Sequence, residues 1–233
     1  MNFSPFKRLL TPFKRLLWTL ILVPLGLLVA LPASAEAEYW QAVDVQIPLD
    51  NPSQTWLYPD AFRAFTIAQL APRFEGLGVL RFSVGPVWQL TPGLSLGIFG
   101  DVLALQAPAG NPTQEFRLNL EPLAKGRMGD DFGWVERVRL EYRHLPAFQS
   151  WRVRNLARIN WFWSEDWLAF VSDEVFFEFP GGFNQNRAMI GIGQQVAPGT
   201  RLELAYQARS RKGANEHWDL DHILVLFLFF APG

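Results

Sequence analysis

Residues 137–145 read RVRLEYRHL, with Arg137, Arg139, Glu141 and Arg143 alternating against Val138, Leu140 and Tyr142. A period of two places the charges on one face of a β-strand and the apolar residues on the other. The pattern recurs along the chain. Glu115, Arg117, Asn119 and Glu121 oppose Phe116, Leu118 and Leu120; Arg152, Arg154, Arg158 and Asn160 oppose Trp151, Val153, Ala157, Ile159 and Trp161. Arg187, Gly191, Gly193 and Gln195 oppose Ala188, Ile190 and Ile192, while Arg201, Glu203, Gln207 and Arg209 oppose Leu202, Leu204, Tyr206 and Ala208. Such a chain must give every strand one wet face and one dry face. A soluble sheet does so with water outside, and a membrane barrel does so with the wet face inside.

Three features favour the barrel. Aromatics make up 15% of the 233 residues, including ten Trp and twenty Phe. Trp56, Trp88, Trp134, Trp151, Trp161, Trp163, Trp167 and Trp218 fall toward strand ends, where a membrane interface holds rings that are dry on one edge and wet on the other. The chain has no Cys, so a closed hydrogen-bonded wall would replace the disulfides of many exported domains. The connectors also alternate in length. Thr91-Pro92-Gly93, Ser164-Glu165-Asp166 and Ala197-Pro198-Gly199 are tight, whereas 107–113, 145–150, 180–185 and 211–219 are longer, and 124–133 breaks the alternation. Short turns at one end and long loops at the other characterise outer-membrane barrels.

The N-terminus stands apart. Lys7, Arg8, Lys14 and Arg15 precede an apolar stretch from Leu16 to Leu31, and Ala33-Ser34-Ala35 follows. This is the layout of a secretory signal peptide cleaved after Ala35, giving a leader 1–35 and a barrel domain 36–233. Cleavage removes four of the 21 basic residues and none of the 22 acidic ones, leaving a net charge of −5. That balance excludes nucleic-acid binding by charge.

Eleven strand candidates lie between turn signals: Tyr39–Ile47, Thr55–Leu70, Gly78–Leu90, Leu94–Gln106, Gln114–Leu123, Trp134–His144, Trp151–Trp163, Trp167–Phe179, Asn186–Val196, Thr200–Arg211 and Asp221–Phe230. Bacterial barrels have an even count because both chain ends share one side. Tyr39–Ile47 then runs the wrong way. Either it lies outside the wall, giving ten strands, or another strand is hidden, giving twelve. The expected fold is an all-β, antiparallel, up-and-down transmembrane barrel of ten to twelve strands.

Taken together, RVRLEYR (137–143), WRVR (151–154), DEVFFEF (173–179), FNQNR (183–187), GIG (191–193) and LELAY (202–206) resemble an exported bacterial family labelled DUF2490, a domain of unknown function. The resemblance covers most of the chain after the leader and is best over 134–230. It implies a barrel-like outer-membrane fold and no chemistry.

On the barrel reading Arg137, Arg139, Glu141, Arg143, Arg152, Arg154, Arg158, Glu174, Arg187, Arg201 and Glu203 share the lumen. Paired, they form a structural network, since the Arg fork matches carboxylates bidentately. Unpaired, they line a small pore that favours an anionic solute. Arg187 is the natural partner of Glu174 across one hairpin, and Asp173 points outward unless a bulge turns it in. Phe183-Asn184-Gln185-Asn186 reads as an outer loop. His144, His217 and His222 are the only histidines, none in a Ser-containing motif of known spacing, so no catalytic, metal or cofactor residue is assigned. Outer-membrane lipid and barrel assembly machinery are the expected partners. The alternatives are a soluble periplasmic β-domain that binds a ligand, and a lipid-modifying enzyme with His144 and His222 at its rim.

Overall fold

The computed structural model describes residues 38–49, 59–71, 76–106, 113–213 and 216–231. The leader 1–35 and its cleavage site lie outside the described residues, as do 55–58 of the second strand candidate. Eleven strands are found among the described residues: β1 (Glu38–Pro48), β2 (Ala61–Ala71), β3 (Gly76–Thr91), β4 (Leu94–Leu105), β5 (Thr113–Met128), β6 (Phe132–His144), β7 (Gln149–Phe162), β8 (Trp167–Phe179), β9 (Gly182–Ala197), β10 (Thr200–Lys212) and β11 (Trp218–Phe230). They close into one barrel in chain order.

The expected even count is corrected. Each strand pairs antiparallel with its chain neighbour, so the first and last of an odd number run the same way. β1 therefore pairs parallel with β11, from Glu38 opposite Ile223 to Val45 opposite Phe230. Tyr39–Ile47 belongs to the wall after all, and no twelfth strand is needed. The ladder leaves neither β1 nor β11 with an open edge, which is what closure of a sheet achieves.

Two local readings also change. The stretch 124–133 is mostly strand, with a turn only at 129–131 between β5 and β6. The Phe183–Asn186 stretch lies in β9, and the connection from β8 is the two-residue turn Pro180-Gly181. Tight turns at 92–93, 129–131, 163–166 and 198–199 share one end of the barrel, here the turn end. The opposite, loop end is where β4 ends and β5 begins and where β10 ends and β11 begins, and it carries 145–148 and 180–181.

The alternation orients most strands, whereas β1 is buried on both faces, with Val43 and Val45 at 5% and 2% exposure. Leu118, Leu140, Ile159, Val171, Ile190 and Leu204 point outward and are exposed, whereas Glu115, Asn119, Glu141 and Glu203 point inward with 0% exposure. Outward aromatics gather at both ends. Near the turn end Trp163 lies 5.8 Å from Trp161 and 6.1 Å from Trp167. Near the loop end Phe183 lies 5.7 Å from Phe177 and 5.2 Å from Trp218. Two aromatic belts around an apolar band match the outer surface of a membrane barrel.

Candidate functional site

The inner face holds the site, and strand registers place its charges. On β6 and β7, Glu141 lies opposite Arg152 and Arg139 opposite Arg154. Two arginines facing each other would repel, so carboxylates from flanking strands come between them. Glu141 takes Arg154 at 2.9 Å and also pairs with Arg152. Glu174 of β8 takes Arg154 at 2.7 Å and Arg137 at 2.8 Å. Glu121 of β5 pairs with Arg139 and takes Arg63 of β2 at 2.9 Å. Each of these carboxylates thus serves at least two guanidinium groups, from neighbouring strands and from across the lumen, an arrangement that suits the Arg fork.

All eleven sequence-predicted residues project into the lumen, in three groups. Glu141, Arg139, Arg137, Arg152, Arg154, Glu174 and Arg187 form the middle. Arg143 lies toward the loop end, where it meets Glu115 at 2.6 Å and pairs with Glu178. Near the turn end Arg158 grips Glu203 with two bonds of 2.7 and 2.9 Å, and Arg201 reaches the same carboxylate at 2.9 Å. The expected Glu174–Arg187 pair is register-matched, but its closest approach is 3.7 Å. Arg154 and Arg137 hold Glu174 more tightly. Asp173 does point outward, without a bulge at its position, and accepts a 2.7 Å bond from Asn186 Nδ2.

Sequence reasoning missed the contribution of β1 to β4. Asp44 pairs with Arg63, Arg81 donates to Asp101 at 2.5 Å, and Arg209 reaches Glu38 at 2.8 Å. The available signal was an isolated charge in an apolar run, which reveals a wet face only when the phase of the strand is known.

Aromatic rings complete the packing. Phe176 is 1% exposed, with the guanidinium groups of Arg154, Arg187 and Arg152 at 4.7, 4.6 and 5.5 Å from its centroid. Phe170 carries Arg158 at 3.7 Å, a cation–π contact. It can lie there because Gly191 is beneath it: a Cβ at 191 would sit 2.6 Å from the ring and 2.7 Å from the Leu204 carbonyl oxygen.

The two halves of the lumen differ. Between mid-height and the loop end the inward side chains Glu38, Gln69, Asp101, Leu103, Glu115, Asn119, Glu141, Phe176, Arg209 and Ile223 are all buried. That half is filled largely by buried side chains. From mid-height to the turn end runs a cavity of about 630 Å3, lined by nine Lys or Arg side chains and three carboxylates. At the loop end, Lys212 Nζ at the tip of β10 donates to Glu216 at 2.9 Å and holds that carboxyl below its ordinary value. His222 Nδ1 is hydrogen-bonded to the Tyr206 hydroxyl on the outer face, and His144 ends β6 at the loop end.

A closed β-barrel with a charged interior and an apolar exterior has the architecture of a porin-like protein. In agreement, the solved structure described as NanC porin in a rhombohedral crystal form superposes with a TM-score of 0.52 at 8% identity, covering 84% of this chain and 95% of that one. The model of the family DUF2490, a protein of unknown function, matches residues 38–220, so the chain belongs to that family. The match runs from the first residue of β1 to the start of β11. No curated protein matches the chain.

Proposed function

We propose that the chain is an outer-membrane barrel, exported by its leader and cut after Ala35, whose lumen is closed by an ion-pair belt. The packed half of the lumen carries this reading: inward Glu115, Asn119 and Glu141 have no exposed surface. A conducting pore needs a continuous water path, and charges with no water contact line none. The apolar outer band and the two aromatic belts support placement in lipid, with the turn end toward the periplasm. Lipid and the barrel assembly machinery are then the partners. The role is structural, with a blind vestibule open at one end.

The test is conductance across planar bilayers. The wild-type protein is expected to insert and show no sustained open current. Glu115→Ala/Glu141→Ala is expected to open current events by loosening the belt. A steady ohmic current from the wild type overturns the reading. One observation favours a second reading, a small anion-selective pore: nine cations against three carboxylates line the vestibule, and rings of Arg select anions. That reading requires the wild type to conduct, with anion preference reduced in Arg137→Gln.

A further inference from the structure

The vestibule is more than the empty half of a filled barrel, and its inner end is not neutral. Glu174 is shared by Arg154 at 2.7 Å, Arg137 at 2.8 Å and Arg187 at 3.7 Å. Arg154 also reaches Glu141, but Glu141 is shared in turn with Arg152. Cations therefore outnumber carboxylates here. Arg187 is the most loosely held of them. The Gln185 amide oxygen, in the orientation that satisfies both groups, accepts from its Nη2 and Nε at 3.0 and 2.7 Å. Nη1 is left with only the distant Glu174 oxygen. The guanidinium lies 4.9 Å from the Trp40 ring and 4.6 Å from Phe176, which fixes its position without neutralising it.

A second group lacks a partner one inward-facing step nearer the turn end, Gln207 being opposite Met189 where Arg209 is opposite Arg187. Gln207 lines the cavity, is 1% exposed, and its Nε2 makes no hydrogen bond. A buried amide donor without an acceptor is rare and unfavourable. Apolar side chains, Phe65, Phe99, Leu156, Phe162, Phe227 and Phe229, join the polar lining toward the turn end, with Arg81, Arg63 and Arg201 over one face of Phe65, Phe99 and Phe229. Its volume of about 630 Å3 falls within the range of small-ligand pockets. A simple inorganic anion would satisfy the donors and leave these rings facing water. A neutral apolar molecule would cover the rings and leave the donors unmatched.

We propose that the vestibule binds one amphipathic organic anion, its oxyanion on Arg187 and Gln207 and its apolar body along the phenylalanines, entering from the turn end. The proposal rests on the reading of the vestibule as blind, since a through-channel would have no inner end to hold the head group. Lys125 and Arg201 also line the cavity, toward the turn end, and raise the local concentration of anions.

The experiment is calorimetric titration of the folded barrel, in uncharged detergent, with naphthoate, naphthylmethanol, acetate and phosphate. Naphthoate is expected to bind saturably at one site. Arg187→Gln is expected to weaken it roughly tenfold. Met189→Trp, which fills the cavity and changes no charge, is expected to weaken it at least as much. Naphthylmethanol, acetate and phosphate should each bind roughly tenfold more weakly or worse. No saturable binding by folded protein overturns the proposal, as does equal binding of phosphate or acetate. Naphthoate binding that is unchanged in Met189→Trp also overturns it, because the probe then sits elsewhere. Current and binding are read separately: a conducting wild type sinks the closed-lumen reading and with it the premise of the site, whereas absence of saturable binding in a silent barrel sinks the ligand site alone.

Discussion

The charged residues of the lumen work as hubs, and their energetics follow from sharing. Glu141 sits between Arg152 and Arg154 with no exposed surface. Removing one member of a buried pair leaves an uncompensated charge and costs about 3–5 kcal/mol. Glu141→Ala is therefore expected to lower the unfolding free energy by about that amount, read from denaturant titration of the folded barrel in vesicles; a loss under about 1 kcal/mol contradicts the hub. Replacing a whole buried network with well-packed apolar groups is often neutral, so the network is better understood as selecting a filled lumen than as a large net source of stability. Gly191→Ala acts through packing: its methyl would meet the Phe170 ring and the Leu204 carbonyl, and we expect it to destabilise by about 1–3 kcal/mol as overpacking does. Most of 134–209 was legible because two or more charges in a strand set its phase, and in β9 Gly191, Gly193 and Gln195 share the face of the one charge, Arg187. Arg63, Arg81 and Asp101 were not, because a lone charge in its strand fits either face until the neighbouring strand is placed; Asp44 was not, because the run Tyr39–Ile47 holds no second charge.

Strand existence and direction were legible from alternation and turns, and the misreadings share a physical cause. Lys125-Gly126-Arg127 looks like a turn, yet Gly126 is in β5 because the Trp134 indole crosses it; a Cβ there would lie 2.6 Å from Nε1. Asn184 and Asn186 look like loop residues, yet each bonds a carboxylate across the β8–β9 hairpin, Asn184 to Glu178 at 2.8 Å and Asn186 to Asp173 at 2.7 Å. Gly and Asn mark turns only on average; in a wall crowded with rings and carboxylates they also serve as space and as donors. The parity rule failed for a different reason. It assumes antiparallel closure, and no local pattern distinguishes a strand that will pair parallel. The seam is directly testable because the chain has no Cys. Val43 and Leu228 are register partners across β1 and β11. Val43→Cys/Leu228→Cys is expected to oxidise to an intramolecular disulfide in the folded barrel, within the Cα spacing such a bond requires. Val43→Cys/Leu224→Cys, four residues out of register, is expected to stay reduced. The reverse result would place β1 elsewhere.

At the scale of the molecule, the barrel puts three environments within one wall: an apolar exterior with aromatic belts, a packed ionic belt, and a vestibule at the turn end. Dispersed apolar residues, alternation and the absence of Cys were enough to indicate a closed barrel, because few other architectures can use a dry face on every strand. The division of the lumen was not legible, since it depends on which charges meet across strands far apart in the chain, such as Arg63 with Glu121 and Arg158 with Glu203. The most direct test is spin-label accessibility in lipid vesicles, with single labels at Val138, Leu140, Ile159 and Leu204 on the outside and at Ser172 in the vestibule. The outward labels are expected to collide with oxygen and to be shielded from a polar nickel relaxant, while Ser172 shows the opposite preference. Outward labels that the nickel complex relaxes freely would put water where the wall requires acyl chains, and would contradict the account.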